Sequence, residues 1–365
     1  MAVSAVAAVL HGPGARFSLE TIRLGDLRPH ELLVEVRAAG LCHTDLMPRV
    51  PFLGERLVPI VLGHEGAGVV IEVGSAVTTI RPGDHVLLSF DSCGDCERCR
   101  ADDPAYCLHF RAMNTSGQRL DGSVAAVDEH GIPVANRWFG QSSFATLAIA
   151  TERNAVVIDP SLPLDVLAPL GCGLQTGAGA VLNEMKLRPG QSVAVLGAGA
   201  VGLAAVMAAK IAGASDIVAI DLHASRLELA KQLGATRRVL GEVDDLRKAI
   251  VGDGPGLDFV LDTTGVPEVI KAGVAALRPH GRALLVGAGA SPVSFHPSEL
   301  TGVNVGYILE GSANPKRFLP ELVAHWRAGR FPIERLTATY PLSDIDTAEA
   351  DMLAGQVVKP VLVIG

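Results

Sequence analysis

The chain has 365 residues, a length at which a single core gives way to two domains. Hydrophobic residues make up 48% of it and charged residues 19%, as in globular rather than disordered proteins. The formal net charge of −8, without a basic stripe, argues against a nucleic-acid partner. The apolar first ten residues lack a basic leading segment, which argues against a secretion signal.

Short strands separated by glycine and proline are predicted in the first half of the chain. Four runs with β-branched residues and short alternations support this: residues 32–39, 66–73, 84–88 and 144–150. They indicate a β-rich first domain.

From about residue 175, short apolar runs alternate with helical stretches. This alternation predicts an α/β domain with a parallel, doubly wound sheet of the dinucleotide-binding type. One uncharged stretch, 191–209, is long enough to cross a membrane, but its glycines favour a strand, a turn and a helix. The expected strands are 192–196, 216–221, 238–240, 258–262, 282–286 and 303–309, with helices at 201–212, 224–233 and 267–277.

The end of the chain departs from this alternation. A helix over 315–329, polar segments and a short strand at 361–364 are predicted to return to the first domain. We therefore predict a discontinuous catalytic domain, residues 1–174 and 311–365, and a dinucleotide-binding domain, residues 175–310.

A glycine-rich turn follows the first strand of the second domain. Gly197, Gly199 and Gly202 form a G-x-G-x-x-G pattern, which suits a tight turn, close approach of a pyrophosphate and close helix packing. Asp221 ends the next strand, where a carboxylate accepts hydrogen bonds from ribose hydroxyls and repels a 2′-phosphate. The pattern predicts NAD rather than NADP. Alternatively, Asp221 caps a helix, and Arg226 either approaches the ribose or lies on a helix surface.

Four of the six cysteines fall within fifteen residues: Cys93, Cys96, Cys99 and Cys107. Four thiolates in one loop match the tetrahedral site of a structural zinc ion. An iron–sulfur cluster takes the same ligands, but hydride chemistry on NAD needs no one-electron carrier, so we predict zinc. Such crowding favours metal binding over disulfides and indicates the reducing cytoplasm.

The other two cysteines are predicted to join a histidine in a three-ligand group: Cys42, His64 and Cys172. Two thiolates and one imidazole leave a fourth position open, which is typical of a catalytic zinc. Alternatively, all three are ordinary core residues. That alternative leaves the glycines beside each of them unexplained.

The chain resembles the zinc-containing medium-chain alcohol dehydrogenases over essentially its whole length. The resemblance implies a GroES-like catalytic domain, a Rossmann domain, and one catalytic and one structural zinc ion per chain. It rests on G-L-C-H-T-D at 40–45, G-H-E-G at 63–66, the four-cysteine loop, G-C-G at 171–173 and the glycine-rich turn with Asp221.

The resemblance implies a role for each matching residue near the catalytic zinc. The three-ligand group would hold the ion, with Glu65 as an occasional fourth ligand. Thr44 matches the hydroxyl that takes the alcohol's proton, and Asp45 matches a carboxylate that orients the ligating histidine. Many relatives end the proton relay on a histidine where this chain has Met47. The relay must then end on ribose hydroxyls and water, or on another group such as His43.

The resemblance also implies cofactor contacts outside the glycine-rich turn. His43 and Lys359 match positions whose cationic side chains meet the cofactor pyrophosphate, and Thr176 matches a residue beside the nicotinamide. It further suggests a homodimer or homotetramer, joined along the last strand of the second domain.

Within the family, segments 88–90, 141–145 and 171–177 are most similar to the aryl (benzyl) alcohol dehydrogenase branch. This similarity implies a primary aromatic or allylic alcohol as substrate. Apolar residues are available to line its pocket, although each also fits an ordinary core position: Met47, Phe90, Trp138, Phe139 and Leu174.

Two other functions compete with this one. A thiol-dependent formaldehyde dehydrogenase of the same superfamily would oxidise a hydroxymethyl adduct, and it should present Arg or Lys to the carboxylates of a small thiol. A catalytically idle binding protein is expected to have lost a metal ligand, and none is missing. The candidate arginines for the first alternative are Arg49, Arg111, Arg119 and Arg137.

Overall fold

The strands form three sheets, in a computed structural model that describes residues 3–49, 57 and 59–365. In chain order the strands are β1 (Val3–Leu10), β2 (Ser18–Leu24), β3 (Glu31–Gly40), β4 (Ile60–Val61), β5 (Glu65–Val73), β6 (His85–Leu88), β7 (Ala126–Val127), β8 (Pro133–Val134), β9 (Leu147–Thr151), β10 (Ala155–Ile158), β11 (Ser192–Leu196), β12 (Asp216–Asp221), β13 (Arg237–Leu240), β14 (Leu257–Asp262), β15 (Leu277–Leu285), β16 (Asn304–Tyr307), β17 (Thr337–Pro341) and β18 (Lys359–Val363).

The helices are short in the first half of the chain and longer in the second half. In order they are α1 (Glu97–Arg100), α2 (Phe110–Asn114), α3 (Leu164–Leu167), α4 (Gly173–Gly179), α5 (Ala200–Ile211), α6 (Ala224–Leu233), α7 (Leu246–Val251), α8 (Pro267–Ala275), α9 (Pro315–Arg327) and α10 (Ile345–Leu353).

The chain divides into two compact units. The first comprises Met1–Cys172, Asn314–Trp326 and Pro332–Gly365, and the second comprises Gly173–Ala313 and Arg327–Phe331.

The second unit contains the predicted parallel sheet. Its order is β13-β12-β11-β14-β15-β16, and every neighbouring pair is parallel. The order reverses beside β11, and in sheets of this kind ligands bind at the carboxyl ends of the strands beside such a reversal. The doubly wound prediction is therefore confirmed, and β11 and β12 have the predicted bounds.

The uncharged stretch 191–209 folds as β11, a turn and most of α5, as predicted. The middle of α5 is buried along its whole circumference, which explains its lack of charged residues. Across residues 3–49, 57 and 59–365, we find no helix with both the length and the apolar character needed to cross a bilayer.

The first unit contains two sheets, one of five strands (β4-β1-β2-β7-β8) and one of seven. The seven-stranded sheet runs β10-β6-β5-β3-β18-β17, and β9 also pairs with β3. The strand predicted at 144–150 begins only at Leu147, because the Phe144 backbone bridges two other segments: its N–H donates to Leu62 O and its carbonyl accepts from Ala8 N–H.

The segment beyond α9 is more regular than predicted. The polar stretch contains β17 and α10, and α10 buries Ile345, Ala348 and Met352 on one face. The final strand, β18, starts at Lys359 and lies between β17 and β3. Its antiparallel pairing with β3 joins the end of the chain to the strand that leads to Cys42.

Candidate active site and metal centres

Four potential metal ligands converge in the first unit: Cys42, His64, Glu65 and Cys172. One ligand atom from each lies within 4.8 Å of the others. Cys42 follows β3, His64 precedes β5, and Cys172 follows a turn of 3-10 helix at Ala168–Gly171. Because β3 and β5 are antiparallel neighbours, the end of one meets the start of the other. The structure therefore brings the three-ligand group together with its expected fourth ligand.

Asp45 connects two of these ligands. Its Oδ1 lies 2.8 Å from His64 Nδ1, and its Oδ2 accepts a 3.1 Å hydrogen bond from the Cys42 N–H. This contact fixes the orientation of the imidazole. The other ring nitrogen, Nε2, is buried and has no hydrogen-bond partner among the described residues. A buried, unpartnered imidazole nitrogen beside two thiols fits a zinc ion.

The surroundings of Cys42 favour its thiolate form. A hydrogen bond with Cys172 lowers the pKa of Cys42 well below its usual range, in opposition to burial, and the charges of Lys359 and His64 lower it further. Burial lowers the pKa of His64, but the charge and hydrogen bond of Asp45 outweigh burial and raise it well above its usual value. Metals bind thiolate and neutral imidazole, so Cys42 Sγ and His64 Nε2 must both be unprotonated when they hold an ion.

A buried ion pair lies on the Glu65 side of the group. Lys359 Nζ is 2.9 Å from both carboxylate oxygens of Glu65, and it donates to Leu41 O at 3.1 Å. The two side chains are 2% and 0% exposed. This pair was not predicted from the sequence, and contact of Lys359 with a pyrophosphate stays a prediction.

The 3-10 helix His43–Arg49 carries three more predicted site residues. Thr44 is half-buried, and its Oγ1 lies 3.9 Å from Cys42 Sγ, beside the metal group. His43 and Met47 are exposed on the same helix. Thr44 is thus placed next to the ligands, and the end of a proton relay stays a prediction.

Four of the five predicted pocket residues are at most 5% exposed: Phe90, Trp138, Phe139 and Leu174. The Phe139 ring contacts His64, with centroids 4.6 Å apart, and Phe90 packs on Phe110 at 5.6 Å. The Trp138 indole is buried against Asp45, which supports its alternative assignment as a core residue.

A second group consists of the four cysteines predicted for structural zinc, whose Sγ atoms lie within 4.8 Å of one another. Backbone N–H groups of Cys99 and Leu108 lower the pKa of Cys96 to about 6. Burial raises the pKa of Cys107 to about 12. Cys93 Sγ accepts hydrogen bonds from the N–H groups of Asp95 and Cys96. Four thiols in one loop, supported by backbone donors, fit a tetrahedral zinc ion.

The glycine-rich turn lies at the carboxyl end of β11. Gly197 has a φ of 95°, and a Cβ on Gly202 would lie 1.8 Å from Gly197 O, so both positions require glycine. Gly199 faces open space, which suits close approach of a ligand. Asp221 Oδ2 accepts a 2.7 Å hydrogen bond from the Ala198 N–H, so this carboxylate also supports the turn.

The contacts of Asp221 show which residue caps α6 and where Arg226 lies. His223, not Asp221, is the N-cap of α6, although Asp221 Oδ1 accepts from the His223 N–H at 2.8 Å. Arg226 Nη1 lies 4.0 Å from Asp221 Oδ2. Thr176, the predicted nicotinamide neighbour, is buried in α4 of the same unit.

Gln141 is a supporting residue that the sequence analysis missed. It is fully buried; its Oε1 accepts from the Gly66 N–H, and its Nε2 donates to His64 O and Ser89 O, all at 2.9–3.0 Å. It therefore fixes the backbone on both sides of Glu65. Its partners lie 52 to 77 residues away, so no local sequence pattern predicts this supporting role.

Two family models match the chain: an alcohol dehydrogenase GroES-like domain over residues 28–159 and a zinc-binding dehydrogenase over residues 200–322. The geraniol dehydrogenase of Castellaniella defragrans is 43% identical over 368 residues, 99% of this chain and 98% of that protein. The S-(hydroxymethyl)glutathione dehydrogenase of Saccharomyces cerevisiae is 32% identical over 375 residues, 99% of this chain and 96% of that protein. The crystal structure of benzyl alcohol dehydrogenase from Acinetobacter calcoaceticus superposes with a TM-score of 0.94 at 41% identity, covering 100% of both chains.

Proposed function

Because the chain belongs to the zinc-containing medium-chain alcohol dehydrogenases, with their GroES-like and Rossmann domains, we propose that it oxidises primary aromatic or allylic alcohols to aldehydes with NAD. The observation that carries the proposal is the convergence of Cys42, His64, Glu65 and Cys172, with the unpartnered Nε2 of His64 among them. We assign catalysis to residues 1–174 and 311–365, and cofactor binding to residues 175–310.

In this proposal Cys42, His64 and Cys172 hold the catalytic zinc. Zinc supplies Lewis acidity, which makes an alcohol hydroxyl more acidic and an aldehyde carbonyl more electrophilic. Asp45 orients His64, and the Thr44 hydroxyl, beside Cys42, accepts the substrate's proton. Since both metal groups depend on reduced thiols, we place the protein in the cytoplasm.

The cofactor assignment rests on the turn at Gly197–Gly202 and on Asp221. NAD, held by these residues, would supply the hydride acceptor for alcohol oxidation. The turn and the start of α5 offer backbone N–H groups to the pyrophosphate, and the charge of Asp221 selects a ribose without a 2′-phosphate. Thr176, His43 and Lys359 complete the proposed cofactor contacts.

The substrate class is supported by the aromatic side chains at the metal group. The Phe139 ring lies against His64, and Phe90 packs beside it through Phe110. The geraniol and benzyl alcohol dehydrogenases among the relatives act on one allylic and one aromatic alcohol. We propose that these rings and Met47 line an apolar pocket for the substrate.

The formaldehyde dehydrogenase alternative has support from a relative at lower identity. Its requirement for cationic side chains is poorly met, because three of the four candidate arginines contact carboxylates. Arg49 contacts Glu349, Arg119 contacts Glu31, and the buried Arg137 contacts Asp91. Arg111, exposed on α2, is the remaining candidate.

We also propose that the protein forms a homodimer or homotetramer through β16. This strand is the last in the order of the parallel sheet, so its outer edge presents backbone groups that can pair with a second copy. Light scattering at micromolar concentration tests the proposal, and a monomer would contradict it.

The test of the proposed activity is a comparison of kcat/KM for benzyl alcohol, geraniol and ethanol with NAD and with NADP. An aromatic ring buries about 150 Å², so at about 25 cal/mol per Å² we expect benzyl alcohol to exceed ethanol by roughly a hundredfold or more. Equal values for the alcohols, or turnover only of formaldehyde with a thiol such as glutathione, would overturn the substrate class.

A further inference from the structure

Two adjacent aromatic residues hold the Asp45–His64 pair. Trp138 is 1% exposed, and its indole Nε1–H donates a 3.1 Å hydrogen bond to Asp45 Oδ1. Phe139, the next residue, lays its ring against His64 with an interplanar angle of 33°. One ring therefore contacts the carboxylate and the other contacts the imidazole.

The indole is one of four groups that contact the Asp45 carboxylate. Oδ1 accepts hydrogen bonds from the Gly63 N–H and the Trp138 indole N–H, and it also contacts His64 Nδ1. Oδ2 accepts a hydrogen bond from the Cys42 N–H. Three of these four contacts fall on Oδ1, so the indole and the imidazole share one carboxylate oxygen. The donor from Trp138 comes from 93 residues away and anchors the carboxylate to a different part of the fold.

The turn that carries the two rings is strained. Phe139 and Ser142 have φ values of 49° and 52°, in the left-handed region that is unfavourable for residues other than glycine. The Trp138 N–H donates to Ser142 Oγ at 2.8 Å, and this hydroxyl donates to Val61 O at 2.6 Å. Such strain persists only where the surroundings enforce it. Its effect here is to direct adjacent rings onto Asp45 and His64.

We propose that Trp138 is a positioning residue of the catalytic metal site, acting through Asp45. Its N–H stops the carboxylate from rotating, so His64 Nε2 and Cys42 Sγ stay at the positions that a bound ion needs. This inference rests on the proposed catalytic zinc site, and it gives Trp138 a role different from the substrate contact expected above. Loss of the N–H should speed release of the metal without removing any ligand.

Two substitutions distinguish the effect of the Trp138 hydrogen bond from the effect of its packing. Trp138→Phe keeps an aromatic ring and removes the donor. Trp138→His places a ring N–H where the indole N–H was but leaves a larger void. If Trp138 acts through its donor, metal release is slower from Trp138→His than from Trp138→Phe. If it only fills space, the order is reversed, because the larger void is more disruptive.

The matched control is Trp326→Phe, because the other tryptophan of the chain also donates its indole N–H to a carboxylate, Glu334, at 3.0 Å. Zinc-loaded proteins are mixed with a chromogenic chelator at pH 8, and zinc release is followed over time. Mutations of residues that support a metal ligand typically change metal affinity about 10–100-fold. We expect Trp138→Phe to accelerate one release phase about tenfold and leave the other unchanged, and Trp326→Phe to match wild type.

The wild-type zinc content and turnover are measured first, and these test the proposed function independently. With two zinc ions per chain and dehydrogenase activity established, a Trp138→Phe variant that releases both ions at the wild-type rates would overturn the positioning role. Faster release from Trp138→His than from Trp138→Phe would overturn it as well. If Trp138→Phe does not fold, zinc release from Trp138→His is compared with release from wild type. Because this variant retains a donor, the positioning role predicts a release rate within a few-fold of that of wild type.

Discussion

Lys359 and Glu65 form a fully buried ion pair at the catalytic metal group, with Nζ 2.9 Å from each carboxylate oxygen. Breaking a buried pair from one side leaves an uncompensated charge, which typically destabilises a protein by about 3–5 kcal/mol. The pair therefore couples the stability of the first unit to the charge of the metal group.

We expect Lys359→Met to lower the free energy of unfolding of the metal-free protein by about 3–5 kcal/mol. The loss should be smaller with zinc bound, because Glu65 then has another cation beside it. Arg37→Met is the control: it breaks the exposed Arg37–Glu35 pair, which is worth less than about 1 kcal/mol. Urea unfolding measures both. Equally small effects of the two substitutions would show that Glu65 is not held by Lys359.

Cys99→Ser should remove one zinc ion per chain and lower stability, while the fraction that stays folded keeps its turnover. The reason is that the four-cysteine group offers four thiolates and no open position for a substrate. Cys172→Ser should also remove one zinc ion but abolish turnover. Metal analysis, thermal unfolding and an activity assay on each variant check the assignment. A stable Cys99→Ser protein that retains two zinc ions would contradict it.

Asp221→Gly should weaken NAD binding by roughly one to two decades, since a charge-assisted hydrogen bond contributes about 1.5–3 kcal/mol. Use of NADP should improve in the same variant. Because Asp221 also accepts from the Ala198 N–H, Asp221→Asn is the control that keeps an acceptor for the turn and removes only the charge. Cofactor titrations of the three proteins separate these effects. A wild-type preference for NADP would refute this interpretation of Asp221.

The stabilising effect of Glu31 should depend on pH. Burial raises its pKa, but hydrogen bonds from the Arg119 side chain and the Arg28 N–H outweigh burial and leave the pKa below 4.5. A pKa that is lower in the folded state stabilises the protein above the unfolded-state pKa, and this stabilisation is lost as the pH falls through the folded-state pKa.

The measurement is the difference in unfolding free energy between wild type and Glu31→Gln from pH 3 to pH 7. We expect it to be largest above about pH 5 and to shrink as the pH falls below 4.5. Protonation of metal-binding thiolates affects both proteins equally and cancels. Glu129→Gln, at a side chain that is 80% exposed, controls for removal of an acid. A difference that does not vary with pH would contradict the prediction.

Features defined by neighbouring residues could be predicted from the sequence. The strands β11 and β12 were predicted to the residue, because parallel strands covered on both faces appear as short apolar runs. Spacing alone predicts that the four cysteines form one group, and the structure brings their sulfurs together. In both cases the signal lies within about fifteen residues.

Features defined by distant partners could not be predicted. The apolar residues of β1 form a strand through pairing with β2 and with β4, which is distant in the chain. The side-chain hydrogen bonds of Trp138 and Gln141 reach residues 52 to 93 positions away, so both side chains resemble ordinary core residues in the sequence. The turn at Phe139 contains non-glycine residues with positive φ, which local propensity argues against.

The position of β18 beside β3 has a consequence for biosynthesis. A ribosome makes Lys359 294 residues after Glu65, an interval of roughly 15–60 s at typical elongation rates. During that interval the nascent chain already carries Cys42 and His64, but β3 lacks its neighbour β18 and Glu65 lacks its cation. The catalytic metal group is therefore completed late in synthesis. Until then, cellular reductants rather than the folded structure keep the Cys42 thiol reduced.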